Sequence, residues 1–232
     1  MADTRPVFFF DIDNCLYSKS KKVHDHMTVL IDDYFMKHLE LDQEEAFRLH
    51  QEYYKTYGLA IEGLVRHHQI DPLEYNLQVD DALPLDEILA PDAQLRKLLE
   101  DVDKTKVKLW LFTNAYVTHG QRVVRLLGIE DMFEGMTFCD YGKRPMLCKP
   151  HLGMFDKAMS EAGVKEMKDC YFVELTATDD SALNCGKAEE IGWTTTHLVE
   201  EGEPLPAIKP CKNQIRHLEE LRTLFPQFFK TS

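Results

Sequence analysis

Short apolar runs that stop abruptly on polar residues, separated by long helical stretches, constrain this chain more than any other feature. The first run is residues 7–10, Val-Phe-Phe-Phe, and it ends on Asp11-Ile12-Asp13-Asn14. So short a run of β-prone residues predicts a strand buried on both faces that delivers polar groups at its carboxyl end. The signal returns at 107–112 before Thr113-Asn114, more weakly at 136–139, at 170–173 ahead of Asp179-Asp180, and at 194–199. Helices are predicted over 121–127, stopped by Gly128, and over 152–162, 181–191 and 215–224. Strands that alternate with helices predict an α/β fold whose mostly parallel sheet is covered on both faces and binds ligands at the strands' carboxyl ends.

From about residue 24 to residue 100 the period is helical throughout. Leu30, Ile31, Tyr34 and Phe35 share one helix face, and Leu49, Tyr53 and Tyr57 continue at fourfold spacing. Gly58, Asp71-Pro72 and Pro84 cut this stretch into several helices. The expected organisation is a catalytic core of residues 1–15 and 95–232, with residues 16–94 inserted as a helical cap. The acidic runs 42–45 and 200–203 are solvated faces on this reading.

Composition narrows the function. Forty acidic against 27 basic residues give a net charge of −13, which argues against wrapping a nucleic-acid polymer, since that requires clustered Lys and Arg. The longest apolar runs fall far short of the roughly 20 residues that span a bilayer, and the opening residues lack the basic and apolar regions of a secretory signal. The expectation is a cytoplasmic or also nuclear protein without membrane insertion, monomeric or weakly dimeric. Six scattered cysteines with no CxxC pair are expected to be free thiols. His24, His26, His67 and His68 show no zinc-ligand spacing and are expected at the surface or at caps.

The strand-end residues form a set. Carboxylates at i and i+2, such as Asp11 and Asp13, share one face of a strand and can line one cavity. Taken singly, Asp11 and Asp13 read as turn residues, Thr113-Asn114 as a helix cap and Lys149 as a solvated lysine. Taken together they suit phosphoryl chemistry. A carboxylate attacks an anionic ester only where charge is neutralised, which magnesium held by oxygen ligands, a lysine and nearby hydroxyl or N–H donors can do.

Asp11-Ile12-Asp13-Asn14, Leu109 to Asn114, Lys149-Pro150 and Asp179-Asp180-Ser181 resemble the four ordered motifs of the haloacid-dehalogenase-like hydrolases. More narrowly, Tyr54 to Leu59, Gly63-Leu64, Asp140-Tyr141 and Cys148 to His151 resemble the fungal pyrimidine 5′-nucleotidase branch. The resemblance implies a Rossmann-like core with an inserted cap, and Mg²⁺-dependent hydrolysis of nucleoside 5′-monophosphates, pyrimidine nucleotides first. It implies that Asp11 is phosphorylated, that Asp13 protonates the leaving alkoxide and then activates water, and that Thr113 and Lys149 hold the phosphoryl group. Asp13 favours a phosphatase, since a dehalogenase has no alkoxide to protonate. Asp11, the Asp13 carbonyl and an acid of the Asp179-Asp180 pair would bind the metal. Asn14, Asn114 and Tyr57 are the candidate substrate contacts; Tyr53, Tyr54 and Tyr57 stand at helical spacing and read mainly as helix packing, and which one of their rings would face a nucleobase stays open.

In the family the acidic pair follows its strand closely, whereas here Glu174-Leu175-Thr176-Ala177-Thr178 intervenes. Either the strand runs on and Asp179 or Asp180 still reaches the metal, the preferred register because Ser181 and Asn184 follow, or Glu174 takes the first acid's place. The rival functions are a lysophosphatidate or sugar-phosphate phosphatase on the same core, and a catalytically impaired regulatory protein that binds phosphorylated metabolites.

Overall fold

A computed structural model describes residues 3–175 and 179–231, the side chains of 179–182 excepted. Every residue of Val7–Phe10, strand β1, is buried, as a run without polar alternation requires. Phe8 and Phe10 enter one apolar cluster and Val7 and Phe9 another, one on each face of the sheet. Lys108–Phe112 (β2), Gly135–Thr137 (β3), Cys170–Leu175 (β4), Thr194–Leu198 (β5) and Asn213–Ile215 (β6) complete a six-stranded sheet. Its order is β3-β2-β1-β4-β5-β6, and every neighbouring pair is parallel.

This order reverses at β1. The chain steps outward to β2 and β3, then returns to the other side of β1 for β4, so a crevice opens above the β1–β4 pair. Phe10 lies opposite both Leu111 and Val173. Asp11 therefore sits level with Phe112 and Glu174, its N–H donating to the Val173 carbonyl at 3.0 Å.

Between β1 and β2 the chain forms α1 (Val23–Leu39), α2 (Gln43–Tyr57), α3 (Ala60–His67), α4 (Pro72–Gln78), α5 (Leu85–Ile88) and α6 (Ala93–Glu100). Asp71 caps α4 through a bond from the Leu73 N–H at 2.9 Å, with Pro72 at the first helical position where its missing N–H costs nothing. Leu95, Leu98 and Leu99 of α6 pack into the cluster under the sheet. Helices α1 to α4 instead build their own cluster around Phe35, Tyr53, Ile61 and Tyr75, which also takes in Cys139, Tyr141 and Cys148 from the loop after β3. The remaining helices are α7 (Val117–Leu126), α8 (Leu152–Ala162), α9 (Asp179–Glu190) and α10 (Leu221–Leu224).

Several boundaries differ from the expectations. The strand expected at 136–139 is Gly135–Thr137, because Phe138 leaves the ladder to pack on Tyr116 and beneath Lys157. Helix α7 starts a turn before residue 121. The helix expected over 215–224 is replaced by β6, which gives β5 an edge partner, followed by the one-turn α10. All six cysteines are free and buried. Among the described residues, no helix is long and apolar enough to cross a membrane.

Candidate active site

The carboxyl ends of β1, β2 and β4 converge on Lys149, which the loop between β3 and α8 carries in from outside the sheet. Lys149 is 2% exposed, and its ammonium donates to Asp11 Oδ1 and to Glu174 Oε1, each at 2.9 Å. The Phe112 and Phe172 ring centroids each lie 5.2 Å from it. Asn114 braces the lysine's own backbone, its Oδ1 accepting from the Lys149 N–H at 2.6 Å and its Nδ2 donating to the Lys149 carbonyl at 3.0 Å. The Thr113 hydroxyl accepts from the Ala115 N–H at 3.0 Å, which leaves its own proton free to donate into the site.

The charges here do not balance, for two buried carboxylates share one ammonium. Burial raises Asp11 above the ordinary carboxylate range, and it raises Glu174 to about 7 despite Lys149 and Asn184 beside it. Lys149 stays charged: the two carboxylates outweigh its own burial and push it above its usual value. Asn184 Nδ2 donates to Glu174 Oε1 at 2.9 Å, but Glu174 Oε2 is buried and has no partner among the described residues.

Excess negative charge and an orphaned carboxylate oxygen fit a hard divalent cation. Among the described residues, no group of three or more His, Cys, Asp or Glu side chains is arranged to hold a metal. The described carboxylates that would hold a cation here are those of Asp11 and Glu174, with carbonyl, phosphoryl or water oxygens beside them, which is how magnesium usually binds. The Asp179 and Asp180 backbone opens α9. Their side chains, the preferred metal ligands from the sequence, lie outside the described residues.

Asp13 is arranged differently. Tyr17 donates to its Oδ1 at 2.7 Å, and His119 Nε2 lies 2.7 Å from the same oxygen. Burial opposes the charge of both partners, yet their attraction wins: His119 rises to about 8, and Asp13 falls below its usual range. Beyond the imidazole is Asp80, buried beside Tyr141 and pushed by burial up to about 6. None of Tyr17, Asp80 and His119 was singled out from the sequence. A single histidine within a helix carries no periodic signal, and only the fold brings it to Asp13.

Above these groups lies a cavity of about 580 Å³, walled on the sheet side by Asp11, Asp13 and Thr113 and on the helical side by residues of α1 and α2. Asn14 lines it with φ of +58°, a left-handed conformation that asparagine tolerates. Asn114 and Tyr57 line it too, with the Tyr57 hydroxyl 2.6 Å from His67 Nε2 and the Arg66 guanidinium over its ring. Tyr53 packs inside the helical cluster. Gly58 ends α2 at φ of +83°, where a Cβ would lie 3.2 Å from the Lys149 carbonyl, so only glycine seats α2 this closely on the lysine loop.

Comparison with known proteins agrees with this geometry. Residues 6–186 match the family model described as haloacid dehalogenase-like hydrolase. The chain is 41% identical over 206 residues to Phosphate metabolism protein 8 of Saccharomyces cerevisiae. That match covers 85% of this chain but 63% of the yeast protein, so the chain spans less than two thirds of its relative's length. A HAD phosphatase from Thermococcus onnurineus superposes with a TM-score of 0.62 at 17% identity, covering 94% of this chain and 97% of that one. Bacillus subtilis YfnB, in a structure described as bound to magnesium, superposes at 0.58 with 13% identity, covering 96% and 99%. At such identities these two structures speak for the fold.

Proposed function

The chain belongs to the haloacid dehalogenase-like hydrolases, and from that membership we propose that it is a magnesium-dependent phosphomonoesterase acting on nucleoside 5′-monophosphates, pyrimidine nucleotides first. The observation that carries the reading is the Asp11–Lys149–Glu174 cluster at the β1–β4 switch point, open to a cavity that also holds Asp13 and Thr113.

In the first step an Asp11 carboxylate oxygen attacks phosphorus, forming an aspartyl-phosphate as the bond from phosphorus to the ester oxygen breaks. Asp13 gives its proton to the departing alkoxide. In the second step Asp13 takes a proton from water, the water oxygen bonds to phosphorus, and the Asp11 carboxylate is restored as inorganic phosphate leaves. Lys149 orients Asp11 and offsets phosphoryl charge, while the Thr113 hydroxyl donates to a phosphoryl oxygen. Magnesium would be held by Asp11, the Asp13 carbonyl and Glu174, and its charge offsets that of the attacking carboxylate and the phosphoryl oxygens.

Residues 16–94 act as the cap, and their side chains select the leaving group once closure excludes water. A cavity of about 580 Å³ suits a nucleotide-sized ligand, with Tyr57 presenting an aromatic face to a base. Phosphate release from UMP, CMP, AMP, GMP, a sugar phosphate and lysophosphatidate, each with and without Mg²⁺, tests the proposal. Fastest turnover of UMP or CMP that collapses under chelation is the expected result. Preference for the lipid or the sugar phosphate would replace the substrate, and no release from any of them would leave a binding protein.

A further inference from the structure

The two hydrogen bonds on Asp13 end on the same oxygen. The Tyr17 hydroxyl and His119 Nε2 both lie 2.7 Å from Oδ1, and among the described residues neither they nor any other donor reaches Oδ2. The Asp13 side chain keeps 36% of its surface exposed, whereas the His119 side chain keeps none. The open part of the carboxylate faces the cavity that Asp13 lines.

Each carboxylate oxygen has two in-plane lone pairs, so an oxygen that accepts two hydrogen bonds has none left to hold a proton. We propose that His119 and Tyr17 are positioning residues that fill Asp13 Oδ1 and thereby make Oδ2, the oxygen open to the cavity, the atom that exchanges the proton of the reaction. This rests on the phosphatase reading and adds to it the atom that acts and the residues that fix it. A phosphate dianion entering the cavity adds negative charge beside Oδ2 and raises its affinity for a proton. The Oδ2–H bond breaks as the leaving alkoxide takes that proton, and Oδ2 is reprotonated by the water that attacks the aspartyl-phosphate.

The placement of His119 supports a dedicated role. It stands in the first turn of α7, and among the described residues its buried Nδ1 has no partner, so the ring is held through Nε2.

The test is the dependence of kcat/KM on the leaving group, since kcat/KM covers the chain of events through alcohol release and is blind to later hydrolysis of the phosphoenzyme. p-Nitrophenolate leaves without a proton, and an alkoxide such as that of UMP does not. Tyr17→Phe, which removes one hydroxyl, and His119→Leu are each expected to lose ~10²-fold with UMP and less than ~10-fold with p-nitrophenyl phosphate. His119→Gln, which keeps an N–H near the Nε2 position, should recover most of the UMP rate. Equal losses on both substrates, or no loss on UMP, would overturn the positioning role. Asp13→Asn separates this failure from failure of the underlying reading. If Asp13→Asn also loses both substrates equally, the acid assignment falls and the positioning role with it. If Asp13→Asn alone discriminates between the leaving groups, only the positioning role falls.

Discussion

Asp11 and Asp13 stand two residues apart on one strand end, and their surroundings drive them in opposite directions. Around Asp11 the fold buries two carboxylates against one lysine, raising Asp11 and Glu174 alike and leaving Glu174 Oε2 without a partner among the described residues. Around Asp13 it matches one carboxylate with one imidazole, and Asp13 falls as His119 rises. The first side is built short of positive charge, which suits groups that arrive with it or must be neutralised during reaction. The second pairs its carboxylate directly with an imidazole, which suits a group that must hold its geometry and exchange a proton. Environments that push paired carboxyl groups apart are how one fold assigns two roles to one residue type.

That contrast can be broken one group at a time. Asp11→Asn should abolish phosphate release altogether, because an amide cannot form the phosphoenzyme. Asp13→Asn should cost ~10² to 10⁴ in rate on UMP, about 3 to 5.5 kcal/mol of barrier, with much of kcat/KM for p-nitrophenyl phosphate kept. Lys149→Met leaves Asp11 and Glu174 facing each other uncompensated and should lower stability in urea by ~3 to 5 kcal/mol. Adding Glu174→Gln to that variant should restore part of the loss.

Glu174 also sets a pH dependence that Asp13 does not share. Its native pKa of about 7 lies above the ordinary 4.5, so between these values the unfolded chain releases a proton that the folded protein keeps. Without metal, the Glu174 contribution to stability should therefore decline by about 3 kcal/mol as pH rises from 4.5 to 7 and then level off. Glu174→Gln should flatten that slope and weaken the rise in melting temperature that Mg²⁺ gives the unaltered protein. Gly58→Ala, which forces a Cβ into a left-handed turn against the lysine loop, should cost ~1 to 2 kcal/mol in the same unfolding assay.

What could be read from the sequence follows the same physics. β1 and β2 are legible because strands buried on both faces cannot alternate, so their apolar runs stand out. Asp11, Asp13, Thr113 and Lys149 are legible as an ordered series, and Lys149 only as part of it. β6 is not, because Asn-Gln-Ile is a short polar edge strand, and leucines recurring every third residue after Ile215 imitate a helix. Nor is His119, whose role depends on α7 carrying it to a strand end 106 residues earlier in the chain. Glu174 was open as an alternative because it directly continues the apolar run of β4, and the fold places it against Lys149.

The most direct test of the account is to quench Asp13→Asn, with Mg²⁺ present, during turnover of p-nitrophenyl phosphate, whose leaving group needs no proton in the first step, and locate the phosphoryl group by peptide mass spectrometry. With the second-step base removed, the phosphoenzyme should accumulate, and the phosphoryl group should be found on Asp11. A phosphoryl group on any other residue, or product formed with no phosphorylated peptide at any time, would contradict it.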